Sequence, residues 1–364
     1  MSMTNYTVML PDYSIGEHCY EKIGFVTRHF GKKVVLIGGK TALSKAKDAI
    51  LDAIKDTPLE VIDTIWYGGN ASTDNIDALV ANESVQKADL VFGIGGGRAV
   101  DTCKVVADKL NKPMFAFPTV ASNCAACTAV SVVYNPDGSL NSYYYPAPAV
   151  HTFINTAIIA DSPEDLFWAG IGDTLAKECE AELASRADQL FHTTLLGIQV
   201  SHSCTSPILE YGEQAYTDFK AKKVTFALQQ VILDIIMSTG IVSNLTCGGE
   251  EYYYNSSLAH CFYNASTVLP QSHNHLHGEI VSFGVLVLLT YDGQLELRNT
   301  VAAFNKRMGL PTTLADLDIV DEADLDKLVD KAPSIMEWGK VPEPATKEKF
   351  KQAILDADAY GKTL

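Results

Sequence analysis

Positive charge is scarce in this chain: 28 Lys and Arg stand against 44 Asp and Glu in 364 residues, a formal net charge of −16 at pH 7. Such a balance excludes a protein that gains its affinity by neutralising nucleic-acid phosphates, and it disfavours an anionic membrane surface. Long apolar runs are also missing. The richest, IVSFGVLVLLTY (280–291), is too short for a bilayer span and reads as a buried helix. The opening MSMTNYTVMLPDYSIG has neither the basic nor the apolar stretch of a secretory leader. The eight cysteines lack the spacing of a disulfide framework, as expected of free thiols in a reducing compartment. Internal repeats and low-complexity linkers are absent as well. Together these absences predict a cytoplasmic protein with no nucleic-acid and no membrane partner.

The length suggests two domains, and the hydrophobic pattern changes once along it. Over the first 160 residues short β-branched runs alternate with helical periods, the signature of βαβ units and a mostly parallel sheet. VVLIG (34–38), VIDTIWY (61–67), DLVFGI (89–94) and PMFAFPT (113–119) read as strands, TALSKAKDAILDAIK as a helix, and 75–85 as a polar helix. A hairpin turns at Asn135-Pro136-Asp137-Gly138. Ser162, Pro163, Glu164 and Asp165 mark a helix start, and amphipathic helical patterns dominate from there. The prediction is an α/β, Rossmann-like nucleotide-binding domain over 1–160, followed by an all-α metal-binding and catalytic domain over 161–364.

The strongest local motif is GIGGGRAVDTCK (93–104), which follows a strand and opens a helix. Glycines there let the backbone approach a pyrophosphate, and the helix N-terminus offers free N–H groups. The spacing is not G-x-G-x-x-G, so a tight strand-to-helix turn of any α/β protein reads the same way. FPTVASNCAACTAVSVVY (117–134) follows the next strand and places the hydroxyls of Thr119, Ser122 and Thr128 where open sheets bind ligands. In the helical part, GIGDTLAKECEAE carries Asp173 with Lys177 one turn later, and LAHCFYNASTVLPQSHNHLHGEIVSFG carries His260 and His277. A carboxylate and two imidazoles from three helices would form the open coordination sphere of a catalytic metal. An isolated Asp or His on a helix is more often a cap or a packed residue. Cys124 and Cys127 have the spacing of a redox or metal pair but lack further ligands nearby. His273 and His275 read as exposed loop residues, His192 and His202 as structural ones.

Together GGGRAVD, FPTVAS, GIGDTLAK, AHCFYNASTVLP and LHGEIVSFGVLV, colinear across residues 34–316, resemble the iron-containing (group III) alcohol dehydrogenases in their glycerol dehydrogenase-like branch. The resemblance implies a dehydroquinate synthase-like fold and metal-dependent hydride transfer between NAD(P)(H) and a small alcohol. It implies one divalent ion, zinc ahead of iron, on Asp173, His260 and His277, with Lys177 beside it. Cofactor contacts are implied at Gly96, Gly97, Arg98, Asp101, Thr119, Ser122, Thr128, Val130 and Tyr134, and Gly95 of the same glycine loop and Gly39 and Lys40 after the first strand are read from the sequence as further contacts. A homo-oligomer, dimer or larger, is implied too.

Two departures refine this expectation. Glycerol dehydrogenases carry S-T-D-A-P, whereas this chain reads Ser122-Asn123-Cys124-Ala125-Ala126. A carboxylate suits a neutral polyol and repels an anion, while the thiol of Cys124 admits one. With STVLPQ and LHG, the stretch looks most like the hydroxycarboxylate dehydrogenases of that branch. The expected substrate is therefore a small 2-oxo or 2-hydroxy acid contacting Cys124, with glycerol or another polyol as the alternative. A dehydroquinate synthase-like lyase is a further alternative, disfavoured by the few Lys and Arg near the metal motifs. A binding protein on an inactivated scaffold is disfavoured by the complete ligand set. The second departure concerns the cofactor. NAD-specific relatives tend to carry an acid after the first strand, whereas IGGKTAL offers Gly39 and Lys40, and a lysine attracts a 2′-phosphate. NADP(H) is expected ahead of NAD(H), although a solvated first-turn lysine would look the same.

Overall fold

The structure is a computed structural model and describes residues 6–249 and 251–364. It divides into two compact units: one takes the chain up to Glu164 and again Asp218–Ile232, the other Asp165–Thr217 and Leu233–Leu364. The chain thus passes between units three times, and no composition shift around 218–232 announces the return.

The first unit is built on strands β1 (Asp12–Ile15), β2 (Lys33–Gly38), β3 (Glu60–Trp66), β4 (Leu90–Gly95), β5 (Met114–Pro118) and β8 (His151–Ile154), with β6 (Ser131–Tyr134) and β7 (Leu140–Tyr144) as a separate hairpin. Among the described residues the main sheet runs β1-β8-β5-β4-β2-β3, and every pair in it is parallel. Strands covered on both faces read as unbroken apolar runs, which is why β2, β4 and β5 are visible in the sequence. β1 (DYSI) is polar and partly exposed at the edge, and β8 (HTFI) is only four residues long, so neither announces itself. The polar helix expected over 75–85 is two helices, Thr73–Ala81 and Glu83–Lys87. Asn82 breaks them and caps the second by accepting from the Ser84 and Val85 N–H groups. The core is aromatic: Phe92 and Phe115 meet edge to face, and Phe117 stacks on Phe153 at 4.9 Å, against Val34, Leu36 and Ile50. Each such side chain contributes about 1.5–3 kcal/mol of burial.

Neighbouring strands β2 and β4 send their helices, α1 (Lys40–Ile54) and α2 (Gly97–Lys109), to strands on opposite sides of the pair. Their carboxyl ends are therefore the topological switch point of the sheet, where open α/β folds bind ligands.

The second unit is helical. It contains α3 (Glu164–Thr174), α4 (Ala176–Ser185), α5 (Leu258–Ser266) and α6 (His277–Tyr291). The run expected to be a buried helix is α6, whose residues from Gly278 onward are almost all buried. One feature departs from expectation. Residues 226–246 form a single helix, with a π-helical turn over Asp234–Ser238, that by length and composition is long and apolar enough to cross a membrane. The sequence reading missed it because Asp234 interrupts the apolar pattern.

Asp234 is 2% exposed. Burial pushes its pKa up to about 8, only partly offset by the nearby Ser238 hydroxyl and Cys204 thiol. Between the ordinary carboxyl range and that value, the folded state keeps a proton that the unfolded chain releases. Stability therefore falls as pH rises through this window. Asp234→Asn removes the titration. Relative to the parent, the variant should gain about 2 kcal/mol or more between pH 5 and pH 9. Urea unfolding at the two pH values checks this; equal pH dependence in both proteins would refute the assignment.

Candidate metal and nucleotide sites

Asp173 lies near the end of α3, His260 in the first turn of α5, and His277 at the start of α6. Close helix crossings bring them together. A Cβ on Gly278 would lie 1.9 Å from the Ala169 carbonyl oxygen, and one on Gly172 2.5 Å from that of Gly278, so α3 and α6 touch through main chain. At Gly284, α6 meets α5 equally closely, 2.5 Å from the Ala259 oxygen. The residues beside these contacts are the three candidate ligands. His277 Nε2 is 3.1 Å and His260 Nε2 3.4 Å from the same oxygen, Asp173 Oδ1. The three donor atoms lie within 4.8 Å of one another. The Tyr263 and His277 rings meet at an edge-to-face angle, their centroids 4.2 Å apart.

Electrostatics in the cluster favour a cation at its centre. Despite burial, His277 and His260 hold the Asp173 carboxyl well below the usual carboxylate range. Burial alone would lower the His260 pKa, yet Glu180 and Asp173 raise it to about 10. The donor set, one carboxylate and two Nε2 atoms converging on one point, fits a divalent ion with an open position.

Two residues of α4 complete the picture. Glu180, not singled out from the sequence, is fully buried. It accepts from the Ser257 and His260 backbone N–H groups at 2.8 Å each and pairs with His260 Nδ1 at 2.6 Å. Asp173, Lys177 and Glu180 follow i, i+4, i+7 spacing, which places them on one side of the chain but does not mark Glu180 as buried. Lys177, expected beside the metal as a ligand-orienting or substrate-carboxylate residue, instead donates to Asn255 O at 3.1 Å and Asn255 Oδ1 at 2.8 Å. Both side chains grip the segment that carries His260.

In the first unit the glycine loop, the end of β2 and the segment after β5 lie side by side. Gly95 has φ +146°, a conformation that L side chains rarely adopt, and a Cβ there would press on Ala99 at 2.9 Å. The Gly39 N–H donates to Ile94 O at 3.3 Å, and the Thr119 N–H to Gly95 O at 3.3 Å. A Cβ on Gly96 would meet Val120 at 3.0 Å, and one on Gly97 the Asn123 side chain at 2.9 Å. The start of α2, whose first N–H groups a helix leaves without an internal partner, thus packs beside Val120 and Asn123. Arg98 lies over the Tyr134 ring at 5.8 Å, and Lys40 Nζ over the Trp66 ring at 4.4 Å.

Three expected cofactor contacts face inward instead. Asp101 is buried, 3.0 Å from Lys104 Nζ, and accepts from the Val132 N–H at 3.2 Å. Lys104, which the sequence did not flag, donates to Thr128 O at 3.0 Å, to Thr128 Oγ1 at 3.3 Å and to Val130 O. The Thr128 hydroxyl and the Val130 carbonyl are therefore engaged by a buried ammonium. Ser122 and Cys124 are half-buried, and the Cys124 carbonyl accepts from the Cys127 and Thr128 N–H groups in a tight turn.

Other sequence candidates resolve more simply. His275 is not an exposed loop residue: it is held between Glu279 at 2.9 Å and Asp318 at 3.2 Å. His273 is exposed. His202 pairs with Glu182 at 2.9 Å. All eight cysteines are free thiols, and Cys124 and Cys127 join no ligand cluster among the described residues.

A parallel nucleotide-type sheet with a helical unit bearing a three-donor cluster is the dehydroquinate synthase-like architecture, and known proteins share it. A probable glycerol dehydrogenase from Sinorhizobium meliloti 1021 superposes with a TM-score of 0.82 at 26% identity, covering 99% of this chain and 100% of that one. The iron-containing alcohol dehydrogenase family pattern matches residues 11–154. Glycerol dehydrogenase of Escherichia coli is 31% identical over 96% of this chain and 95% of its own length. Hydroxycarboxylate dehydrogenase A of Escherichia coli is 34% identical over 84% of this chain and 83% of its own. The chain belongs to the iron-containing alcohol dehydrogenase family and is an oxidoreductase of it.

Proposed function

We propose that this protein moves hydride between NADP(H), or NAD(H), and a small 2-oxo/2-hydroxy acid pair, with a divalent ion, zinc ahead of iron, on Asp173, His260 and His277. The observation that carries the reading is the convergence of those three donors on one point. A bound ion would supply Lewis-acid polarisation of the carbonyl, and the nicotinamide the hydride. The chain's own residues bind and orient. The N–H groups opening α2 and the glycines at 95–97 suit a pyrophosphate. Arg98 and Tyr134 border the same loop, and Thr119 and Ser122 lie along the segment that faces it. The ammonium of Lys40, held over Trp66 near the carboxyl ends of β2 and β3, suits a 2′-phosphate. Cys124, where a carboxylate would repel an anion, supports an oxo acid. We further propose a cytoplasmic homo-oligomer, on the likeness to the family.

The second reading is polyol oxidation, favoured because relatives of nearly full length carry the name glycerol dehydrogenase. A spectrophotometric assay of the zinc-reconstituted protein separates the two. It compares NADPH oxidation with 2-oxobutanoate or 2-oxoglutarate against NAD⁺ reduction with glycerol, with a chelator control. Chelator-sensitive turnover of the oxo acids, with none of glycerol, is the expected result. Glycerol oxidation with NAD⁺ alone would overturn the roles given to Cys124 and Lys40.

A further inference from the structure

Glu180 is placed for more than packing. Its Oε1 accepts from two main-chain N–H groups at the start of α5, Ser257 and His260, both at 2.8 Å. These are donors that a helix leaves without an internal partner. The side chain of the N-cap residue Ser257 makes no cap hydrogen bond to them; its hydroxyl donates to Lys340 O. One carboxylate oxygen of Glu180 thus caps the helix from a neighbouring element, and the other, Oε2, faces His260 Nδ1 at 2.6 Å. On the same face of α4, Lys177 ties down Asn255.

The chemistry of that second contact is one-sided. A carboxylate only accepts, so the Nδ1 facing it carries the proton, and the lone pair of the neutral ring is left on Nε2. Nε2 is the atom turned towards Asp173 Oδ1. We propose that Glu180 is the positioning residue of the metal centre: it sets both the place and the tautomer of His260, so that Nε2 is free to bind the ion. This rests on reading Asp173, His260 and His277 as ligands. His277 is placed differently, by its position at the start of α6 and by its perpendicular ring contact with Tyr263. Glu180 also changes the charge of the centre. Its carboxylate and that of Asp173 together balance a divalent ion, whereas Asp173 alone would leave a net positive charge.

Glu180→Gln separates this role from helix capping. The amide oxygen can keep the two backbone contacts, but the amide nitrogen then presents a donor to Nδ1. The ring can answer only by accepting there and carrying its proton on Nε2, where it blocks coordination. Turning the amide round would set its NH₂ against two N–H donors instead. The Zn²⁺ dissociation constant of the chelator-stripped protein, measured by competition with a chromophoric chelator, should rise about tenfold to a hundredfold. The thermal midpoint of the metal-free variant should stay near the parent's. Glu180→Ala, which loses the cap as well, should lower both zinc affinity and the metal-free midpoint. In the zinc-loaded parent, ¹⁵N-histidine spectra should show a protonated Nδ1 on His260, a readout that needs no variant to fold. Zinc affinity of Glu180→Gln within twofold of the parent, or an unprotonated His260 Nδ1, would overturn the proposal. A parent that binds no zinc would instead remove the ligand reading on which it stands.

Discussion

Asp173→Asn is expected to lower the turnover of the metal-reconstituted protein by at least about a thousandfold while leaving it folded. The side chain keeps its shape, and its oxygen can keep its place 3.4 and 3.1 Å from the Nε2 atoms of His260 and His277. What disappears is the one charge among the three converging donors. Lewis-acid stabilisation of a developing alkoxide is worth several kcal/mol, and each 1.36 kcal/mol is a factor of about ten in rate. Circular dichroism should be unchanged, and zinc content after dialysis should fall together with kcat. A variant keeping more than a tenth of parental turnover would remove Asp173 from the centre.

The largest expected effect on stability lies in the first unit. Lys104 is 1% exposed, yet it pairs with Asp101 and donates to three oxygens of residues 128–130. Burial already pushes the Asp101 carboxyl above its ordinary range, and Lys104 is the main influence holding it down. Lys104→Met should cost about 3–5 kcal/mol, because it strands a buried carboxylate and two carbonyls. Adding Asp101→Asn to it should recover part of that loss, since the two side chains act as a unit. Urea midpoints of the two single variants and the double variant test this. A loss under about 1 kcal/mol for Lys104→Met would mean that water takes its place. The contrast within the same unit is Asp161, bridged by Lys45 and Lys222 at the surface. Its carboxyl is held down at about 2, but exposed ion pairs are worth about 1 kcal/mol or less. Burial, more than the number of contacts, decides which lysine matters.

Much of this was legible in the chain, and the failures share a cause. Strands β2, β4 and β5 announce themselves because both faces are covered, so alternation gives way to continuous apolar runs. β1 and β8 do not, being too short for period or length to decide. The three-donor cluster could be named from motif order, but its support could not. Glu180 sits between Glu178 and Glu182 in a run of acidic residues that reads as solvated charge, and Lys104 looks like any helical lysine. Both are buried because a distant segment, 255–260 or 128–130, closes over them. Thr128 and Asp101 were assigned to a cofactor for the converse reason: side chains that suit phosphate or ribose also suit a buried ammonium, and spacing does not distinguish the two partners.

The glycine crossings of α3, α5 and α6 bear on which ion the proposed centre would accept. Peptide planes in contact at Gly172, Gly278 and Gly284 fix the triangle of donors far more stiffly than interlocked side chains would. A larger or smaller cation finds a frame that does not breathe to suit its radius. At the proposed centre such a frame would select among divalent metals by radius as well as by donor softness, so ions that bind poorly there would be rejected by geometry even where the cell supplies them.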